Sequence, residues 1–322
     1  MAHQNKLMSM SEAVKEYVKD GSALYMGGFT QLQPYAAAHE IIRQKTEDLT
    51  LSTCVGLTLA DQMIGAGVVK NLITAFVWNP VPLKAHCFSR SVIQGIPRTI
   101  GLEEYSVLAL NLAFYAGAMG LPYVAAKTLL GTGFDSEKNP GGAKNRLRFE
   151  HSPFTGERVC LVPPIRHDLG IVQVQRCDAF GNAQAWGIMG ETKYGLLSCD
   201  KIIICAEEIV ETETIMRDPN RTLIPSFRVN AVVKEPWGAH PSSVAGFYDM
   251  DWRYYAYYGT KTSTEKDFEQ YLDKWVLNVS GREQYLRLLG DRRVRSLIPE
   301  PFISEPVDYG RLTRHFPEDN DR

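Results

Sequence analysis

Asp20-Gly21-Ser22-Ala23-Leu24-Tyr25-Met26-Gly27-Gly28-Phe29, continued by Thr30-Gln31-Leu32-Gln33-Pro34, is the stretch that decides the fold. Ala23-Leu24-Tyr25-Met26 is short, apolar and bounded by glycines, which predicts a buried strand. Gly27 and Gly28 permit a tight turn, and Pro34, with its fixed φ, suits the first turn of a helix that continues through Ile41-Ile42. Upstream, Ser9 with Glu12 three positions on reads as a capping box, opening a helix that ends near Asp20-Gly21. Downstream, strands over 49–53 and 72–77 alternate with helices over 59–65 and 83–94. Repeated βα units with short connections predict an α/β fold, an open, mostly parallel sheet with helices on both faces.

Further along, residues 106–126 carry no charge, yet Asn111, Gly117, Gly120 and Pro122 break the run too often for a membrane span. It reads as a buried helix to about Gly117, a Gly-Leu-Pro turn, and an inner strand over 123–126. Glycines, prolines and charges then crowd an irregular excursion near 128–157. Strands resume over 159–162, 171–175, 201–205 and about 228–233, the third being the clearest inner strand. Trp237, Phe247, Tyr248, Trp252, Tyr254, Tyr255, Tyr257 and Tyr258 read as core or subunit interface. Helices over about 264–275 and 282–289 precede a charged tail from about 291. A single domain over 1–322 is expected.

Composition narrows the function classes. Hydrophobic residues at 44% and charged residues at 22% are ordinary for a folded globular chain. Thirty-five basic against 37 acidic side chains, with no long run of either sign, argue against a nucleic acid or membrane partner and for small molecules. Six cysteines without a CxxC pair, and no signal peptide, predict reduced thiols in the cytoplasm. The seven histidines lack ligand spacing, so no metal site is expected. P-loop, zincin, lipase-elbow and dinucleotide fingerprints are missing.

The glycine turn carries chemistry. Backbone N–H groups at Gly27, Gly28 and Phe29, ahead of a helix start, suit a carboxylate, a thioester oxygen or a phosphate; the bland reading is a sharp turn that binds nothing. Gly27-Gly28-Phe29 with its flanks resembles the signature of the α subunit of family I CoA-transferases. Pro34-Tyr35-Ala36-Ala37, Glu40-Ile41 and Arg43-Gln44 resemble the branch formed by the A subunits of glutaconate CoA-transferases. Similarity recurs at Asp48-Leu49-Thr50, Gly120-Leu121-Pro122, Trp186-Gly187, Glu207-Glu208-Ile209, Asp218-Pro219 and, most specifically, Gly238-Ala239-His240-Pro241-Ser242, covering about 7–290. The resemblance implies the CoA-transferase superfamily fold and a β subunit that carries the nucleophilic glutamate in an αβ hetero-oligomer. It also implies acyl-CoA and a carboxylic acid as substrates, with no tightly bound cofactor. Two departures stand out: Leu32 occupies the place of a glycine two positions before the proline, and Thr30-Gln31-Leu32-Gln33 is neutral where glutaconate-type members are basic. A neutral loop suits an acyl group without a second carboxylate.

The resemblance places no nucleophile on this chain. Gln31 is a candidate amide donor or a solvated loop residue, and Phe29 lines an acyl pocket or packs under the turn. Loops after strands at the carboxyl edge of a parallel sheet bind ligands, which selects Gly56 and Asn79; a turn residue ahead of Pro80 is the plain reading of the latter. Relatives of this branch include acyl-CoA decarboxylases and ring-opening hydrolases. For such a hydrolase Glu104, of the pair Glu103-Glu104, is the acid to examine, its plain role being a helix N-terminal acid. A sugar-phosphate isomerase or sensor is a third reading, which leaves the Gly-Ala-His-Pro-Ser segment unexplained. Glu207-Glu208, just past the strongest strand, is expected to organise the strand end rather than to attack substrate.

Overall fold

The computed structural model describes residues 5–81, 84–135 and 146–300. The capping box forms as read: Glu12 N donates to Ser9 Oγ (3.2 Å) and Ser9 N to Glu12 Oε2 (2.9 Å), opening α1 (Met10–Tyr17). Then follow β1 (Ala23–Met26), α2 (Tyr35–Arg43), β2 (Leu49–Val55), α3 (Leu57–Gly65), β3 (Val69–Phe76), α4 (His86–Gln94), β4 (Gly101–Glu104) and α5 (Val107–Met119). β5 (Val124–Ala126), β6 (Arg148–His151) and β7 (Arg158–Val162) make a separate antiparallel sheet of order β5-β7-β6. The chain returns through β8 (His167–Cys177), β9 (Ala183–Gln184), α6 (Thr192–Leu197), β10 (Cys199–Ile209), α7 (Thr212–Met216), β11 (Thr222–Ile224) and β12 (Ala231–Lys234). It finishes with α8 (Trp252–Lys261), α9 (Glu265–Leu272), α10 (Arg282–Leu289) and α11 (Asp291–Arg295).

The main sheet runs β12-β10-β8-β1-β2-β3-β4, parallel throughout, with β9 and β11 added antiparallel beside the end of β8. From β1 the chain builds outward to β4 and then crosses to β8 on the other side. The strand order therefore reverses between β1 and β8, and the crevice beyond their carboxyl ends is where such sheets bind ligands. Alternate residues of β1 feed opposite cores. Leu24 and Met26 join Ile41, Ile203 and Trp275 under α1–α4 and α8–α10. Tyr25 joins Phe114, Val172 and Ile204 under α5, α6 and the small sheet.

Some expectations change. The strand over 123–126 is not inner: β5 is a half-exposed edge of the small sheet. Glu103 and Glu104 lie on β4, an edge strand of the main sheet, rather than at a helix start; Ser106 caps α5 by accepting from Ala109 N at 3.1 Å. Half of the aromatic cluster is core, with Tyr248, Tyr254, Tyr255 and Tyr258 buried; Trp237, Phe247 and Tyr257 are partly buried against it, and Trp252 is left outside. The predicted start of the helix at 83, residues 136–145 of the excursion and the tail beyond 300 lie outside the described residues. The excursion's described flanks carry β6, and the tail begins as α11. All six cysteines are buried and free, and among the described residues no helix is long and apolar enough to cross a membrane.

Candidate active site

β1 delivers the glycine turn to the switch point. Gly27 N donates to Ile171 O of β8 at 2.7 Å, so the first glycine still belongs to the sheet. Gly28 then takes φ +96°, and a Cβ there would run into Gln31 O and lie 2.7 Å from Gln33 N. The turn is packed against its own backbone. Thr30 and Leu32 also have positive φ, 62° and 60°. Leu32 thus keeps the left-handed backbone that a glycine would favour at this place, while its side chain is fully buried. Leu32→Gly should relieve about 1–2 kcal/mol of backbone strain but forfeit about 2–5 kcal/mol of packing. A lower urea midpoint is the expected result, and a higher one would refute this weighing of cavity over strain.

Several backbone donors of this region are already committed. At the start of α2, Tyr35 N donates to Gln33 O, Ala36 N to Gly238 O and Ala38 N to Pro34 O. Among the described residues, the N–H groups of Gly28 and Phe29 have no protein acceptor. Two adjacent unpaired donors at the switch point are the kind of group that stabilises a developing oxyanion.

The remaining candidates divide. Gln31 is 4% exposed and its Nε2 donates to both Trp186 O (3.1 Å) and Ile188 O (3.0 Å), so its amide hydrogens clamp the turn to the loop over 186–192. Phe29 is half-buried against Gly190, where a Cβ would lie 2.6 Å from Phe29 Cγ. Gln33 Nε2 donates to Val55 O at 2.6 Å and so joins the turn to the end of β2, where Gly56 begins α3. Gly56 N donates to Phe76 O at 3.0 Å, and its Cα packs against Val77 and Ala60. Asn79 is fully buried, with Nδ2 donating to Tyr255 O (3.0 Å) and Oδ1 accepting from Val81 N (3.3 Å), which is turn and helix anchoring. Glu104 ends β4, three strand spacings from β1, roughly 14 Å. Its neighbour Glu103 accepts from Tyr105 Oη and, at 3.2 Å, from Arg146 Nε.

Two buried acids flank this edge. Glu207, at the end of β10, accepts from Gln173 Nε2 (2.7 Å), Tyr248 Oη (2.6 Å) and Trp237 N (2.6 Å). Burial nevertheless pushes its carboxyl up to about 7. Glu208 points outward and is exposed. Glu191 is fully buried too; no motif in the sequence singles it out, although the glycines at 187 and 190 mark the turn that turns it inward. The Gly-Ala-His-Pro-Ser segment acts as a brace. Gly238 O accepts from Ala36 N, Ser242 Oγ donates to Thr30 O at 3.1 Å, and Ser243 O accepts from Leu32 N at 2.9 Å. His240 anchors the brace from inside, Nδ1 meeting Tyr285 Oη (2.8 Å) and Nε2 meeting Asp251 Oδ2 (3.1 Å).

An open parallel sheet with a strained, braced glycine turn at its switch point defines an α/β protein with a candidate small-molecule site. The chain belongs to the coenzyme A transferase family, whose model matches residues 7–235. It is 32% identical over 271 residues to the A subunit of 3-oxoadipate CoA-transferase from Pseudomonas knackmussii, covering 84% of this chain and 93% of that one. The A subunit of glutaconate CoA-transferase from Acidaminococcus fermentans is 31% identical over 326 residues, 94% of this chain and 98% of its own. The crystal structure of the Acidaminococcus enzyme superposes with a TM-score of 0.85 at 30% identity, over 94% of this chain and 98% of that one.

Proposed function

We propose that this chain is the α component of an acyl-CoA:carboxylate CoA-transferase of two subunits, building the wall opposite a nucleophilic glutamate carried by its β partner. The likeness to a glutaconate CoA-transferase chain of the same kind over 94% of the chain is the observation that carries this reading. Apolar surface on the outer side of α5, at Val107, Leu108 and Met119, is of the kind that a permanent partner covers and adds support.

In this reading the partner's glutamate attacks the thioester carbonyl, the C–S bond breaks, and CoA leaves as a thiolate from an acyl-glutamyl anhydride. The thiolate attacks the glutamyl carbonyl, expels the acyl carboxylate and leaves a glutamyl thioester; an acceptor carboxylate then runs the steps in reverse. Each addition places negative charge on a carbonyl oxygen. The N–H groups of Gly28 and Phe29 are the donors this chain offers to it.

Gln31, Leu32 and Gln33 turn inward, and half-buried Phe29 and Thr30 add no charge, so the acyl group that fits lacks a second carboxylate. The test is co-expression with a β chain of the same family, followed by CoA transfer to acetate from butyryl-CoA and from glutaconyl-CoA. Acetate-dependent turnover that favours butyryl-CoA is expected. Release of CoA at the same rate without any acceptor acid would overturn the transferase reading in favour of a hydrolase, and a strong preference for glutaconyl-CoA would overturn the acyl assignment alone.

A further inference from the structure

Glu191 is a buried carboxyl group with no cation beside it. It follows Gly190, the residue on which Phe29 packs, and stands at the start of α6 without capping that helix. Its side chain is wholly buried. Oε1 lies 3.4 Å from Tyr25 Oη in β1, and Oε2 has no hydrogen-bond partner among the described residues. The titratable groups that face it are Tyr25 from β1 and Cys54 from β2, whose backbone N–H also points at the carboxyl group, with Cys199 from β10 near Tyr25. Tyr25 is itself pinned by Gly195 of α6, whose Cα packs on the phenol ring. All of these are neutral at physiological pH.

The contrast with Glu207 is chemical. Three donors surround Glu207 at 2.6–2.7 Å, whereas Glu191 has one hydrogen bond, long at 3.4 Å, and only weak support from the backbone N–H groups of Cys54 and of Glu191 itself. An isolated ionised carboxylate in such a place costs several kcal/mol, while a neutral carboxylic acid sits there at far lower cost. Burial accordingly pushes the Glu191 carboxyl up to about 7.

We propose that Glu191 is a positioning residue that works as the un-ionised acid, holding the loop over 186–192, and through it Phe29 and the Gln31 clamp, against the carboxyl ends of β1 and β2. Ionisation puts an uncompensated charge between these elements and loosens the loop, so the glycine turn loses its backing. The catalytic part of this inference rests on the glycine turn being part of the CoA-transferase site; the protonation part does not.

Linkage fixes the sign. The unfolded chain releases this proton near 4.5 and the folded chain near 7. Between those values the folded state alone holds the proton, so stability falls as pH rises through this window and levels off above it. Glu207 adds a fall of the same sign.

Three measurements on the αβ complex test the inference: urea unfolding across the window, the infrared carbonyl band of a protonated carboxyl group near pH 6, and the pH profile of kcat/KM with butyryl-CoA and acetate. Glu191→Gln keeps the shape and neutrality of the acid. It should flatten part of the stability slope, remove intensity from the acid band, and move the alkaline limb of activity up by about one pH unit or more. Glu191→Ala should lose about tenfold in kcat/KM at every pH, and Glu191→Gln should recover most of that loss. A Glu191→Gln complex with the parent's stability slope and acid band would overturn the protonation assignment. An unmoved alkaline limb, with slope and band altered as expected, would overturn the positioning role. A complex without any transferase activity leaves slope and band to decide the protonation state, and separates failure of this inference from failure of the transferase reading.

Discussion

Gly28→Val should abolish CoA transfer and destabilise the chain by several kcal/mol. From the sequence, valine here is expected to abolish activity and leave the fold largely intact, whether the turn needs positive φ or a close approach of substrate; the intact fold is the part that the structure corrects. The structure assigns the crowding to the protein itself. With φ at +96°, a Cβ would collide with Gln31 O and come within 2.7 Å of both Gln33 N and Leu32 C. Backbone atoms cannot swing aside as the tip of a side chain does. A left-handed conformation alone costs a non-glycine residue about 1–3 kcal/mol, and a β-branched residue is strongly disfavoured there. The collision adds displacement of Gln31 and Gln33, which releases the clamp on Trp186 and Ile188 and the tie to Val55. Gly21 is the matched control, since φ is +75° but nothing lies within 4 Å of an added Cβ. Gly21→Ala should therefore cost only about 1 kcal/mol and leave kcat within a few-fold. Urea midpoints and steady-state rates of the two complexes measure the difference. Equal effects at the two positions would show that strain, rather than collision, governs the turn.

The parts of the fold that local chemistry dictates were legible in the sequence. The Ser9-Glu12 box, β1 between its glycines and the helix after Pro34 each follow from residues within a few positions. Tertiary placement was less legible. β4 is too polar to read as a strand because it is an edge, where Glu103 and Glu104 need no apolar neighbour. β5 reads as an inner strand because its apolar residues cover a small sheet rather than the main one. At the site, the glycine turn was readable from its two glycines, but its bracing was not. Ser242 reaches Thr30 across 212 positions and Gln31 reaches Ile188 across 157, distances at which no local pattern operates. Glu191 illustrates the same limit. Its chemistry comes from burial with few and weak partners, which only a packed interior shows.

Glu207→Ala should destabilise the chain more than most single substitutions, by about 3–5 kcal/mol, because three buried donors lose their acceptor and each unsatisfied group costs about 1–3 kcal/mol. Gln173 Nε2, Tyr248 Oη and Trp237 N all point at this carboxylate, and Tyr248 also stacks on Trp237 at 4.3 Å between ring centres. Tyr248 Oη in turn accepts from Ala239 N at 3.1 Å, so the loss reaches the brace that supports the glycine turn. Glu207→Gln separates a structural role from a nucleophilic one. An amide keeps one acceptor for Gln173 and Tyr248 but turns an NH2 toward the Trp237 N–H, donor against donor, so stability should drop even though shape is preserved. A nucleophile replaced by its amide would instead retain stability and lose all turnover. The decisive observation is covalent: incubate the αβ complex with acyl-CoA, trap the thioester with hydroxylamine or borohydride, and locate the altered glutamate by mass spectrometry. Modification on the β partner, together with a destabilised Glu207→Gln chain, is the expected outcome. Modification at Glu207 would move the reacting carboxylate onto this chain, and a Glu207→Gln variant as stable as the parent would remove the structural role.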